Sequence, residues 1–554
     1  IIRGHELRTL ADGNRTREII RNAPRGILFD RTGKPLVVNQ GQYRLVRPCE
    51  GKALTPCTET LSKEEGEQWE KEGLPAGFYL EVDYHRQYPY GAALAHLLGY
   101  TGELTQKELQ QEYFQLRQYR GGDRMGRMGG EAVFEEKLHG RNGKELVEVD
   151  AGGKTLRILG RDPEVAGESV MLSVDADLSK AVVSAFPEGF KGVVVVAKPT
   201  TGEILALYSS PSFDPNKFSS GLTQKEYDDL AANPDQPLFF RAIGGVYPPG
   251  STFKIVTAIG ALQEGAIAKD TIIEDNGTIT IGPYQFSNWY FSQYGKTEGP
   301  VDIVKGLQRS NDIFFYKTGE RLGVTKLADW ARKVGIGKPL GIELGGEAGG
   351  LMPDPAWKNQ RFTTALDLEA RNNEWYLGDT YHLSIGQGYL LTTPLQVNTW
   401  TNVIANGGKL CRPTIEKVKS PALPAGRQKS KVKSECKDLG IKKETIALIT
   451  EGMRKACEPG GTGWPLFNFR VKSKASQKQD EQNKEATDSS LLTRPAFDSP
   501  PVSVPVACKT GTAEFGDPQD RTHAWFTVFA PLTSDGTQRV PQNMDNQGLT
   551  PISC

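Results

Sequence analysis

A serine followed three residues later by a lysine can be an activated nucleophile if both stand on the first turn of one helix. The segment Tyr247-Pro-Pro-Gly-Ser251-Thr-Phe-Lys254 has that form. Pro-Pro-Gly cannot continue a helix, so a helix is predicted to begin at about Ser251, where free N–H groups and the positive end of the helix dipole converge. Positions i and i+3 share a face, so Lys254, if desolvated to neutrality, could take the proton of the Ser251 hydroxyl. A helix-capping serine beside a solvated lysine is the alternative. The spacing recurs at Ser430/Lys433 and Ser434/Lys437, but only Ser251 opens an apolar stretch. A second hydroxyl and acid, Ser310 and Asp312, fall in a break between two helical stretches, where Ser310 could relay a proton or merely cap the helix over 311–322. Lys-Thr-Gly occurs at 317–319 and at 509–511. The first copy lies in a helix-period stretch and is expected on a solvated face. The second extends the alternating run from Val502 to Lys509, and Gly511 would let a substrate backbone pair alongside.

These residues need elements to hold them. Apolar residues at 253, 256, 259 and 262 predict a helix over 251–264 that stops at Gly265. Gly192–Ala197 and Glu203–Tyr208 flank the turn Lys198–Gly202 as a buried hairpin, and strand patterns return at 502–508 and 523–530. Two early and two late strands around helices predict one mixed, mainly antiparallel sheet closed by distant segments. Residues 1–170 are irregular and β-rich. Inserts at 417–437 and 471–501 have too few large apolar side chains to offset their ordering entropy and are expected to be loops. The segment 533–554 is polar and aperiodic, leaving the sheet short of a strand and the domain incomplete; its deletion is expected to change stability little.

The chain has 554 residues, enough for several domains. Lys+Arg and Asp+Glu both number 67, so no basic surplus exists to grip a nucleic acid. No apolar run approaches the ~20 residues that a membrane-spanning helix needs. Seven cysteines are scattered without metal-ligand spacing, so neither a disulfide framework nor a metal site is expected. Cys49 and Cys57 are close enough for one bridge in an oxidising compartment but read rather as two isolated thiols, and Cys508 reads as a small buried apolar group or a redox-sensitive thiol beside Lys509.

Ser251-Thr-Phe-Lys254, Ser310-Asn-Asp312 and Lys509-Thr-Gly511-Thr512, in this order, resemble the three motifs of the penicillin-recognising serine enzymes. Arg25-Gly-Ile-Leu-Phe-Asp30, Tyr88-Pro-Tyr-Gly91, Gly129-Gly-Glu131, Gly349-Gly-Leu-Met-Pro353 and Ser384-Ile-Gly-Gln-Gly388 resemble segments of class B penicillin-binding proteins. The resemblance implies a multi-domain α+β chain: a pedestal of the dimerisation type over 1–170, then a transpeptidase domain over 171–532. It implies that Ser251 attacks the penultimate D-Ala carbonyl of a peptidoglycan stem peptide and releases D-Ala, with Lys254 as base and Ser310 as proton relay. N–H groups of Ser251 and Thr512 would form the oxyanion hole. Lys509, Thr510 and Thr512 would attract the terminal carboxylate. It further implies β-lactam binding, a glycosyltransferase and other wall-synthesis proteins as partners, an anchor upstream of Ile1, and residence on the outer face of the cytoplasmic membrane. No cofactor is implied. Asp312, where Asn is commoner, leans toward the elongation type. A β-lactamase would share the three motifs but needs a base for deacylation, and none stands out between 311 and 508; a non-catalytic scaffold is the other competing reading.

Overall fold

The computed structural model describes residues 16–47, 57–72, 74, 78–149, 155–418, 433–467, 470–471, 502–514, 516, 521–530 and 552–553. Cys49 and most of the two inserts lie outside them. The N-terminal part is built on two small antiparallel sheets. In one, Val38–Arg47 runs between Cys57–Leu61 and Tyr79–Gln87; in the other, Gly143–Val149 runs between Thr16–Arg21 and Thr155–Asp162. The turn after Phe29 is tied by Asp30, whose Oδ1 accepts from the N–H groups of Thr32 (2.7 Å) and Lys34 (2.9 Å). Leu28–Phe29 then pairs with Val170–Met171, so both ends of this part meet beside the next.

The C-terminal part centres on a five-stranded sheet in the order Ile204–Ser210, Gly192–Ala197, Ile552–Ser553, Thr522–Ala530, Ala507–Glu514. Its pairing is antiparallel throughout rather than mixed. The segment 533–554, expected to lack regular structure, supplies the middle strand: Ser553 pairs with both Ala197 and Phe529. Two residues suffice because both neighbours offer unpaired backbone groups, a demand that periodicity does not register. The helix Pro394–Ala405 is buried along its length and fastened to the sheet, with Asn398 Nδ2 donating to the Val195 carbonyl (3.3 Å) and Thr401 and Thr527 hydroxyls 2.8 Å apart. A shared apolar cluster joins the two parts, Leu28, Leu97 and Val174 packing with Val195, Leu207 and Ile342.

Three further expectations are corrected. The run 502–509 is not one strand: Val502–Ser503 pairs with Arg470–Val471, and the sheet strand starts at Ala507. The insert 417–437 is ordered at both ends, Val418 N–H donating to Glu203 (2.9 Å) and Cys436–Asp438 pairing with Lys409–Cys411. Among the described residues two disulfides are present, Cys411–Cys436 and Cys457–Cys508. The pairs are separated by 25 and 51 residues, and sequence alone cannot say which distant strands will meet. Among the described residues no helix is long and apolar enough to cross a membrane, and no group of His, Cys, Asp and Glu could hold a metal.

Candidate active site

Ser251 lies on a single 3₁₀ turn, Gly250–Phe253, that runs directly into the helix Lys254–Gln263. The preceding prolines block helix. Gly250 then adopts φ +53°, and a Cβ there would stand 2.5 Å from the Thr512 carbonyl oxygen. Only glycine lets the sheet strand approach the nucleophile turn so closely. Gly511 serves the same contact from the other side: a Cβ on it would meet Thr252 Cγ2 at 3.0 Å and the Pro249 carbonyl at 3.1 Å. Its bareness therefore packs strand on turn. The turn is also held by Trp525, whose Nε1 donates to the Pro248 carbonyl (2.9 Å). Behind it, Gly386 accepts at its carbonyl from Gly250 N–H (2.9 Å).

The helix after Ser251 is buried on all sides from Lys254 to Ala261, so Lys254 has no route to water. Its Nζ donates to the Ser310 carbonyl (2.7 Å), to Asp312 Oδ1 (2.7 Å) and, at 3.3 Å, to Ser310 Oγ. None of these bonds reaches Ser251. The carboxylate is the strongest acceptor within reach, and it draws the amine across the site. Burial pushes Lys254 below the ordinary lysine range, and Asp312 opposes that shift.

Ser310 is not the helix cap. It sits between the helices Ile303–Gln308 and Asp312–Leu322 at φ +52°, and Asn311 caps the second helix, accepting from Phe314 N–H at 2.8 Å. A serine in the left-handed region is strained unless its surroundings fix it. Here Lys509 Nζ donates to Ser310 Oγ at 2.8 Å and to the Thr510 carbonyl at 2.8 Å. Lys509 is fully buried, and burial together with the nearby Lys254 lowers its pKa well below the ordinary lysine value. The Ser310 hydroxyl thus accepts from two amines, one on the nucleophile's helix and one on the sheet strand, and its own proton remains to be donated.

The eight residues singled out from the sequence are not equally placed. Lys254, Ser310, Asp312 and Lys509 form one hydrogen-bonded cluster. Ser251 is partly buried at its edge, and Thr512 is exposed beside it. Thr510 is turned away: its Oγ1 is 2.8 Å from Thr462 Oγ1. The other Lys-Thr-Gly copy is helical, but Lys317 is not simply solvated, since its Nζ donates to Glu320 (2.8 Å) and to the Tyr381 hydroxyl (3.1 Å).

Sequence reasoning missed the acid beneath the cluster. Asp275 is buried, and its Oδ2 accepts from Asn311 Nδ2 and Asn288 Nδ2, each at 2.7 Å. Asn288 Oδ1 in turn accepts from Asp312 N–H (3.1 Å), while Trp289 N–H donates to Asp312 Oδ2 (2.9 Å). Asp275 thereby holds the Ser310-Asn311-Asp312 turn from below. A buried Asp-x-Gly turn was the available signal, but nothing in the sequence ties residue 275 to residue 311. Cys508, adjoining Lys509, is bridged to Cys457 rather than free.

This geometry sits within a chain that matches known proteins along most of its length. Residues 192–540 match the penicillin binding protein transpeptidase domain, and residues 50–172 the penicillin-binding protein dimerisation domain. The chain is 38% identical over 350 residues to the peptidoglycan D,D-transpeptidase MrdA of Acinetobacter baumannii, covering 63% of this chain and 50% of that protein. To MrdA of Escherichia coli K12 it is 31% identical over 447 residues, covering 74% of this chain and 68% of the relative. A solved complex of penicillin-binding protein PBP2 with MreC from Helicobacter pylori contains a chain that superposes with a TM-score of 0.73 at 25% identity, covering 93% of this chain and 92% of that one. With a dimerisation domain leading into a transpeptidase domain that spans more than half its length, the chain belongs to the class B penicillin-binding proteins.

Proposed function

We propose that the protein is a serine D,D-transpeptidase that cross-links peptidoglycan stem peptides and is acylated by penicillins. The observation that carries this reading is the Ser310 hydroxyl, set 3.3 Å from Lys254 Nζ and 2.8 Å from Lys509 Nζ. It joins the nucleophile's helix, the middle turn and the sheet strand in one proton path. Ser251 Oγ attacks the penultimate D-Ala carbonyl while Lys254, whose pKa burial lowers, acts as the base that takes its proton. The N–H groups of Ser251 and Thr512 receive the oxyanion, a contribution of ~3–4 kcal/mol per donor. The proton passes through Ser310 to the departing D-Ala nitrogen, and an amine from a neighbouring stem peptide then takes the acyl group. Lys509 and the exposed Thr512 hydroxyl meet the substrate's terminal carboxylate; Thr510 contributes through its carbonyl hold on Lys509 rather than through its own hydroxyl.

The MrdA relatives and the PBP2–MreC complex support an elongation role carried out with other wall-synthesis proteins at the cell envelope; a glycosyltransferase among those partners is part of the same reading. The test is a stem pentapeptide incubated with the protein and an acceptor amine. D-Ala release with formation of the amide product is expected, and hydrolysis without transfer would overturn the transpeptidase assignment in favour of a carboxypeptidase or lactamase.

A further inference from the structure

Ser310 and Lys509 come from segments 199 residues apart, yet the proton path runs beside the 2.8 Å contact between Oγ and Nζ. Proton transfer needs heavy atoms within about 2.6–3.2 Å, and a displacement of ~1 Å can cost ~10²-fold in rate. Regular structure alone holds neither partner in place. Ser310 stands at φ +52°, and Ala507–Glu514 is the last strand of its sheet, with no strand on its outer side among the described residues.

The loop Cys457–Gly463 touches the chain neighbours of both. Gly460 accepts at its carbonyl from Arg309 Nη1 (2.9 Å), Thr462 Oγ1 is 2.8 Å from Thr510 Oγ1, and Cys457 is bridged to Cys508. Arg309 precedes Ser310, and Cys508 and Thr510 flank Lys509. One loop therefore grips the Ser310 turn at one point and the strand at two.

The loop keeps its shape through its own bonds. It follows the helix Lys443–Ala456 and folds back on the helix end, Gly463 N–H donating to the Ala456 carbonyl and Gly461 N–H to the Glu458 carbonyl, each at 2.8 Å. A Cβ on Gly461 would collide with the Ala456 carbonyl, and one on Gly463 would stand 2.5 Å from Cys508 Sγ, so the fold-back and the seat against the strand both require glycine. The helix itself packs closely on Ile303–Gln308, which leads into Arg309: a Cβ on Gly452 would meet Leu307 Cβ at 2.7 Å. The Arg309 side chain is equally fixed. Its Nε donates to Glu298 Oε1 (2.7 Å), its guanidinium lies 5.0 Å from the centre of the Tyr290 ring, and Glu298 N–H donates to Asp275 Oδ2 (3.2 Å). Held on these sides, the planar fork aims Nη1 at Gly460.

We propose that Arg309 and Thr462 are positioning residues for acylation: through the loop Cys457–Gly463 they set the distance between the Ser310 hydroxyl and the Lys509 amine. The Thr510 hydroxyl serves this tie. The proposal rests on the reading of Ser251, Ser310 and Lys509 as the acylation machinery.

The test is stopped-flow acylation of the full chain at saturating penicillin, well below the melting temperature, for the wild type, Thr462→Val, Thr462→Ser, Arg309→Met and Phe114→Leu. The rate constant is expected to fall about tenfold in Thr462→Val and in Arg309→Met, as for a relay displaced by a fraction of an ångström. Thr462→Ser keeps the hydroxyl, and Phe114→Leu loosens a core cluster of the N-terminal part, so both should acylate at the wild-type rate. A rate constant within about twofold of the wild type in either Thr462→Val or Arg309→Met, or an equal loss in Thr462→Ser or Phe114→Leu, would overturn the proposal alone. A wild type that forms no penicilloyl adduct would overturn the underlying reading and the proposal with it.

Discussion

At the scale of single residues, the site is a contest for one proton among buried groups. Lys254 must lose a proton that Asp312 favours keeping, and burial, the larger influence, tips the balance toward loss. Its lowered pKa means that the unfolded chain binds the extra proton over the range between that value and the ordinary 10.5, so stability contributed by this group rises with pH across that window. Penicillin acylation should rise as pH climbs through the lowered value of folded Lys254 and level off above it, since only neutral Lys254 is a base; a stopped-flow pH profile flat down its acid limb would contradict this. Lys254→Arg should acylate almost as poorly as a variant lacking the side chain, because a guanidinium stays protonated. Asp275→Asn places an amide against two donating asparagines and should slow acylation about tenfold or more, the loss of one or two hydrogen bonds to a charged acceptor. Measured well below the melting temperature, a variant equally destabilised elsewhere, such as Phe213→Leu, should acylate normally. The grouping of Lys254, Ser310 and Lys509 beside Ser251 was legible in the sequence because their motifs coincide with helix starts and a strand. Asp275 was not, since its role comes from a contact 36 residues away.

At the scale of elements, the strand Ala507–Glu514 must lie against the nucleophile turn, and three devices hold it there. Gly250 and Gly511 permit the approach, and Cys508 bonds to Cys457 just beyond the helix Lys443–Ala456. The sequence suggested the strand but placed its start too early and took Cys508 for a free thiol, because alternation continues through 502–506 whichever strand those residues pair with. Closing a 51-residue loop is worth about 4 kcal/mol on the chain-entropy account. Reduction, or Cys457→Ser with Cys508→Ser, should therefore lower the melting temperature and slow acylation by loosening Lys509; unaltered acylation after verified reduction would show that packing alone positions the strand. The paired test of the two Lys-Thr-Gly copies belongs here. Lys509→Ala should impair labelling severely, whereas Lys317→Ala, losing a half-exposed ion pair, should cost no more than about 1 kcal/mol of stability and leave labelling intact.

At the scale of the molecule, fold class and the two-part order were legible from motif order and from the change of pattern near residue 170. The closure of the sheet was not: Ile552–Ser553 enters it between strands more than 300 residues apart, and a two-residue strand carries no period. Deleting 533–554 is therefore expected to lower the melting temperature, by leaving Ala197 and Phe529 without a partner on the side that Ser553 fills, where polarity alone suggested no effect. The seam between the parts adds a pH response. His96 is buried between Phe213 and Phe240, its Nε2 2.9 Å from the Pro237 carbonyl, and desolvation lowers its pKa to about 4. The unfolded chain takes up this proton near 6.5 and the folded one does not, so stability is lost as pH falls from 6.5 toward 4, by up to ~3 kcal/mol. In His96→Gln the decline on acidification should be shallower by about that amount.

The central claim is that Ser251 is the nucleophile of this buried cluster. Intact-mass analysis after exposure to a penicillin, followed by peptide mapping, tests it most directly. One penicilloyl group per chain is expected, on the peptide containing Ser251, long-lived in the wild type and absent from Ser251→Ala. An equal adduct in Ser251→Ala, or a wild-type adduct mapped to another residue, would contradict the account.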